Sequence, residues 1–148
     1  MSITDLARIS AIDRLIATEE VKLLRARYCR FIDMKLWDDL RPILHDDIML
    51  DLSASNGKPP IVGRNEFVLY VSNRFSDEPS LHLNFLPEVE IVSPTEATAI
   101  WAQEHFLFPM WVEGEKHSHG YAWSSDRYLK VDGQWQVRSV TLLRPWIL

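Results

Sequence analysis

Cysteine is all but missing from this 148-residue chain, with Cys29 standing alone. One thiol excludes an intramolecular disulfide and a cysteine-rich zinc site, and it fits a reducing, cytoplasmic compartment. Runs of lysine and arginine are missing as well, and the formal net charge is −5. That balance argues against non-specific binding to nucleic acid or to an anionic membrane surface. Long apolar runs are also lacking, since no stretch approaches the roughly 18 apolar residues of a membrane span. Asp5, Arg8 and Asp13 interrupt the first fifteen residues, so they do not read as a signal peptide. There is no internal repeat and no low-complexity segment. What remains is ordinary: 47% apolar and 25% charged residues, a soluble globular composition. The length fits one domain over 1–148, burying roughly 70% of the surface its unfolded chain would expose.

The two halves differ in pattern. Residues 3–16 carry Ile3, Leu6, Ile9, Ile12, Leu15 and Ile16 at helical period. Thr18 ahead of Glu19 and Glu20 reads as a helix N-cap, opening a second helix from Glu19 to about Lys35 with Val21, Leu24, Tyr28, Phe31 and Ile32 on its apolar side. A helical turn is predicted over Trp37–Leu44, a short strand over Ile48–Leu52, a polar loop over Ser53–Pro60, and a helix over Arg64–Phe75. Four extended segments follow, at about 80–93, 96–108, 116–130 and 134–144. The breaks are Ser93-Pro94-Thr95, Pro109 to Glu115, and Asp132-Gly133, the last a good hairpin signal. Helices first and a meander second predict an α+β fold with helices packed on one face of the sheet.

At this point the chain resembles a known family. Tyr128-Leu129-Lys130-Val131-Asp132-Gly133-Gln134-Trp135 followed by Arg144-Pro145-Trp146 is similar to the C-terminal hairpin of scytalone dehydratase and its SnoaL-like relatives. Tyr28 to Asp33, followed by Trp37-Asp38-Asp39-Leu40, is similar to their second helix, and Val92 to Ala99 to their first long hairpin. The resemblance, to the scytalone dehydratase and bile-acid 7α-dehydratase branch of the NTF2-like superfamily, spans roughly residues 8–146. It implies a cone: a curved, mainly antiparallel (mixed) sheet wrapped around the N-terminal helices, enclosing one apolar pocket.

The resemblance also implies a site. The branch's Tyr and Asp on the second helix, His on a central strand, carboxylate on the next strand and C-terminal Arg fall on Tyr28, Asp33, His82, Glu104 and Arg144. The carboxylate of that pattern is Asp, and here it is Glu104, one methylene longer. The polar strand positions of the scytalone enzyme fall on Ala122 and Ser124, so one polar group is missing, which argues against scytalone as substrate. Read from the residues alone, Tyr28 and Asp33 are about 140° apart on an ideal helix and do not share a face. Asp33 lies in an apolar stretch and needs a partner, for which His82 is the obvious choice. Elimination next to a carbonyl, or from a ring, needs a base for the C–H proton, and His suits that task. Tyr28 and Arg144 would polarise a carbonyl or hold an oxyanion. Bland alternatives stay open: a structural His82, a core Tyr28, and an ion pair of Glu104 with Arg144 or Arg138 on a buried strand face.

Other histidines divide. His117 and His119, spaced i, i+2, share a strand face as a metal pair would, but the further Glu and His of the cupin pattern do not follow. His105 falls on the face opposite Glu104 and is left out of the site. Trp37, Phe67, Leu81, Phe85, Phe106, Trp123 and Trp146, with Ser124, are candidates to line the pocket, and Trp146-Ile147-Leu148 to fold over its mouth. The expectation is a cofactor-free, metal-free lyase acting on a hydrophobic cyclic or aromatic compound. Variants are C–C cleavage releasing an aldehyde, and ketosteroid-type isomerisation or polyketide cyclisation. The rivals are a non-catalytic subunit, like the small subunit of a ring-hydroxylating dioxygenase, and a ligand-binding cone. The branch implies a homotrimer, with a dimer as the alternative.

Overall fold

The computed structural model describes residues 9–76, 78–107 and 118–147. The first helix, α1, runs unbroken over Ala11–Asp33. The predicted break at Thr18 does not occur. Ser10 is the cap, its side chain accepting from the Asp13 N–H, and Thr18 Oγ donates back to the Arg14 carbonyl one turn earlier. A threonine that bonds the i−4 carbonyl is at home inside a helix, so the Thr-Glu-Glu signal misled. Ala17, Val21, Leu24, Tyr28 and Ile32 form the buried stripe of α1, while Ile12, Leu15 and Ile16 are exposed. A short helix α2 (Trp37–Leu40) and a 3₁₀ turn (Arg41–Ile43) lead into β1, Leu44–Asp51, which starts four residues before the predicted strand. The expected polar loop contains a single helical turn, α3 (Ser53–Asn56), and is followed by β2 (Ile61–Val62) and α4 (Arg64–Phe75), the last with the predicted bounds.

The meander is β3 (Ser80–Ser93), β4 (Glu96–Leu107), β5 (Ser118–Val131) and β6 (Gln134–Ile147). The six strands form one mixed sheet in the order β2-β1-β6-β5-β4-β3, with β1 parallel to β6 and every other pair antiparallel. Asp132 and Gly133 take φ of 50° and 80°, as a two-residue turn matching the strand twist requires. The sheet bends where its register slips. Leu86 (φ 51°) sits at the slip between Phe85 and Glu88 on β3, and Arg144 (φ 42°) on β6 faces the slip between Tyr121 and Trp123 on β5. Extra residues of this kind bend a strand and tighten its twist. The result is a curved sheet whose inner side receives α1 and α4. No helix among the described residues is long and apolar enough to cross a membrane.

Register fixes which side chains look inward. His82 on β3 pairs with His105 on β4, which pairs with Gly120 on β5, which pairs with Ile147 on β6. The next row, Leu83, Glu104, Tyr121 and Trp146, points the other way. Gly120 is required in the inner row. A Cβ there would overlap His105 Cε1 and come within 2.9 Å of the Trp146 carbonyl oxygen.

Candidate active site

A cavity of about 290 Å³ lies between the inner face of the sheet and helices α1 and α4. Its walls are mostly apolar, with Ile32, Leu50, Val71, Phe75, Leu107 and Leu142 among them. Ser55, Asn56, Tyr70, Arg74 and Ser118 also border it, and the polar groups held between α1 and the sheet lie at two levels.

At the first level stands His82. Its Nδ1 is 2.6 Å from Asp33 Oδ1, and its backbone N–H donates to Asp33 Oδ2 at 2.8 Å. Ser80 Oγ donates to Asp33 Oδ1 at 2.9 Å, and Lys35 Nζ donates to Ser80 Oγ at 3.1 Å. Asp33 is the last residue of α1, where a carboxylate meets the negative end of the helix dipole. The three hydrogen bonds it accepts offset that cost and hold it against the β3 edge. A carboxylate at Nδ1 keeps the proton on that nitrogen, which leaves the Nε2 lone pair as the reactive end. The Phe75 ring meets the imidazole edge-on at 5.1 Å between centroids, and His105 stacks at 6.3 Å. Burial, then the neighbouring His82, His119 and Arg74, hold His105 below the ordinary histidine range. A neutral His105 can donate or accept a hydrogen bond beside His82.

At the second level lies Arg25, buried from α1. Its guanidinium donates to Asn84 Oδ1 at 3.1 and 3.3 Å, to Gln103 Oε1 at 3.3 Å and to Ser124 Oγ at 3.5 Å. Asp126 Oδ2 is 3.4 Å away, and Tyr128 OH, which accepts from Trp101 Nε1, donates to it at 2.8 Å. Burial alone would lower the arginine, but the adjoining Asp126 carboxylate carries it above its usual value. Burial raises Asp126, opposed by Arg25. Tyr28, its ring 4.6 Å from the Arg25 guanidinium, is raised by burial, and Cys29 is pushed up to about 11 by the same cause. Neither is ionised at neutral pH.

The SnoaL-like domain profile matches residues 13–141. The chain belongs to the SnoaL-like domain family. A relative from Gibberella zeae named "Probable cyclase FGR4" is 24% identical over 128 residues, covering 81% of this chain and 85% of its own. Among solved structures, a presumed scytalone dehydratase from Novosphingobium aromaticivorans superposes with a TM-score of 0.80 at 17% identity, covering 93% of this chain and 91% of that one. A type 2 hexachlorocyclohexane dehydrochlorinase gives 0.78 at 19% identity, covering 94% and 93%. A third, from Kribbella flavida, gives 0.82 at 19%, covering 88% and 92%. At these identities the structures share the NTF2-like fold.

Measured against the SnoaL-like pattern, the residues singled out from sequence scatter. His82 and Tyr28 line the cavity, and Asp33 reaches it through His82. Tyr28 and Asp33 therefore border the site from two sides of α1, as their 140° offset requires. Glu104 borders the cavity, but its carboxylate is taken up on the outer face, 2.6 Å from His119 Nε2, with Phe106 stacked on His119 at 4.2 Å. It pairs with neither Arg144 nor Arg138, and the face it shares with Ile100 and Phe106 is the outer one, not a buried one. The inward position on β4 is His105, the histidine that the sequence reading set aside. Arg144 is exposed at the β6 bulge and is not part of the cavity wall; its left-handed backbone turns it out, while Leu142, Pro145 and Ile147 face in.

The eight proposed lining residues also fall elsewhere. Phe67 is wholly buried against Tyr28, and Trp37 packs on the main core. Ser124 is buried behind the cavity under Arg25. Phe85, Phe106 and Trp146 lie on outward rows of the sheet, as does Trp123, and Leu81 faces the groove between α1 and β3. His119 is committed to Glu104, and His117 lies outside the described residues, as do the Pro109–Glu115 break and Leu148. The sequence reading missed Arg25, Asn84 and Gln103, and it weighed His105 but left it out. Arg25 did leave a signal: it is a cation inside the apolar stripe Val21, Leu24, Tyr28, Ile32.

Proposed function

We propose that this SnoaL-like protein is a cofactor-independent lyase that removes water or a similar small leaving group from a hydrophobic cyclic or aromatic compound. The observation that carries the reading is the 2.6 Å contact between His82 Nδ1 and Asp33 at the wall of an apolar cavity. His82 Nε2 takes the C–H proton, and Asp33 fixes the tautomer and stabilises the imidazolium that forms. The leaving group departs with its bonding electron pair; a hydroxyl leaves as water by taking the proton that His82 has accepted, while the neutral His105 stacked beside it hydrogen-bonds the departing oxygen. Apolar walls strengthen each of these interactions by excluding water. The G. zeae relative's name supports a second reading on the same residues, in which the carbanion closes a ring instead of expelling a group.

The test is a panel of cyclic β-hydroxy ketones, with enone formation followed by ultraviolet absorbance. Turnover by the wild type that disappears in His82→Gln is the expected result. Turnover that survives in His82→Gln would remove this base from the mechanism. The outer face of the sheet, with Leu83, Phe85, Ile100, Trp123 and Trp146 exposed, is the surface that a second copy of the chain covers in this reading. Association into a trimer is expected in analytical ultracentrifugation, and Trp146→Asp should weaken it.

A further inference from the structure

Arg25 is only 2% exposed, yet it forms part of the cavity wall. Its Nη1 makes no hydrogen bond, though Asp126 stands 3.4 Å away. A guanidinium carries five donors and no acceptor, so any amide beside it must turn its oxygen inward and its NH2 away. Asn84 does so and donates its NH2 to Cys29 Sγ at 2.7 Å. Gln103 does so as well, accepting at Oε1 from Arg25. Its Nε2 then has no protein acceptor among the described residues, and Gln103 lines the cavity. A preset donor thus faces a mainly apolar space.

We propose that Gln103 Nε2, oriented by the Arg25–Asp126 pair, is the subsite for a carbonyl oxygen of the substrate. This rests on the reading of the cavity as the substrate site, and it names the class: a cyclic ketone with a removable proton on the carbon beside the carbonyl. Spacing agrees. Asn84 pairs with Gln103 and His82 with His105, so the donor lies two residues, about 7 Å, along the strands and one strand, about 5 Å, across from the base, or about 8 Å in all. A nitrogen about 3 Å from the α-carbon, about 2.4 Å from that carbon to the carbonyl oxygen, and about 2.9 Å from oxygen to donor nearly span that gap. In the step itself the α-proton passes to His82 Nε2. The C–H electron pair becomes the new C=C bond, and the carbonyl π pair moves onto the oxygen facing Gln103. Arg25 is a positioning residue, acting through the amide it turns.

The experiment is calorimetric binding of 1-indanone and of indane, its carbonyl-free counterpart. Wild type should prefer the ketone by roughly tenfold, the worth of one good hydrogen bond. Gln103→Glu is nearly isosteric and still accepts from Arg25, but it donates nothing. It should lose the preference while indane binds as before, and Arg25→Lys should move the ratio in the same direction. A circular-dichroism melt reports folding, and Gln103→Met replaces Gln103→Glu if the latter fails to fold. A ketone preference retained in these Gln103 variants overturns the subsite, and so does a wild type that binds both compounds alike. A wild type that binds neither compound overturns the cavity reading and the subsite together.

Discussion

Replacing Asp33 by asparagine preserves the side chain's outline and removes its charge. Asp33 accepts from the His82 backbone N–H at 2.8 Å, from Ser80 at 2.9 Å and from the His82 ring at 2.6 Å. An amide has one oxygen. If it keeps the backbone N–H, its NH2 faces His82 Nδ1, which must then accept. The ring proton moves to Nε2, and the nitrogen that faces the cavity is no longer a base. The loss should be about 10²- to 10⁴-fold in turnover, or about 3–5 kcal/mol of barrier. Stability should change far less. One bond survives and the others lose their charge assistance, which comes to about 1–2 kcal/mol and a fall in Tm of about 3–6 °C. The assay pairs turnover on an active substrate with a thermal melt, and ¹⁵N chemical shifts read the tautomer directly. An Asp33→Asn variant that melts normally and turns over within threefold of wild type would refute the orienting role.

Three further outcomes follow from the same geometry. Arg25→Met leaves Asp126 buried without its cation and should cost about 3–5 kcal/mol in urea unfolding, much of it recovered by adding Asp126→Asn. Burial first, then His82, His119 and Arg74, lower the His105 pKa. The unfolded chain therefore takes up that proton before the native one does. Stability should fall as pH drops from about 6.5 towards the lower folded value, and urea midpoints in His105→Gln should lose that part of the slope. Gly120→Ala forces a methyl against His105 and the Trp146 carbonyl. It should destabilise by about 1–3 kcal/mol and displace the ring, seen as a shifted His105 side-chain resonance.

Much of the fold was legible because its signals are local. The helix Arg64–Phe75 keeps its predicted bounds, and Asp132-Gly133 makes the turn that two positive-φ residues make. The one long helix was read as two because Thr18 bonds backward along the chain instead of capping. Within the site, His82 and Asp33 were found through their family positions. Glu104 was placed by the same route one residue out of register with the inward side chain. On a strand, one residue is the difference between the two faces. No pattern in β4 alone distinguishes them, because both faces carry apolar residues, and only the pairing of His82 with His105 and of Leu83 with Glu104 sets the parity. The lining aromatics failed for a related reason. A curved sheet with one face open displays Phe85, Trp123 and Trp146 on its outside, where composition alone would have buried them.

A buried ion pair such as Arg25–Asp126 needs a reason beyond stability, since apolar residues of similar volume often hold a core equally well or better. Its neighbours supply one. Asn84, Gln103 and Ser124 all present oxygens to the same guanidinium, and Tyr128 donates to the carboxylate that balances it. A cation without acceptor capacity gives each amide one permitted orientation, whereas an apolar floor would leave both amides free to flip. The charge is thereby converted into direction: Gln103 faces the cavity with its donor end before any ligand arrives, and no reorganisation is left to be done at binding. The two polar levels of the cavity follow one rule. In the function proposed above, Asp33 fixes which nitrogen of His82 serves as the base, and Arg25 fixes which end of Gln103 serves as the donor.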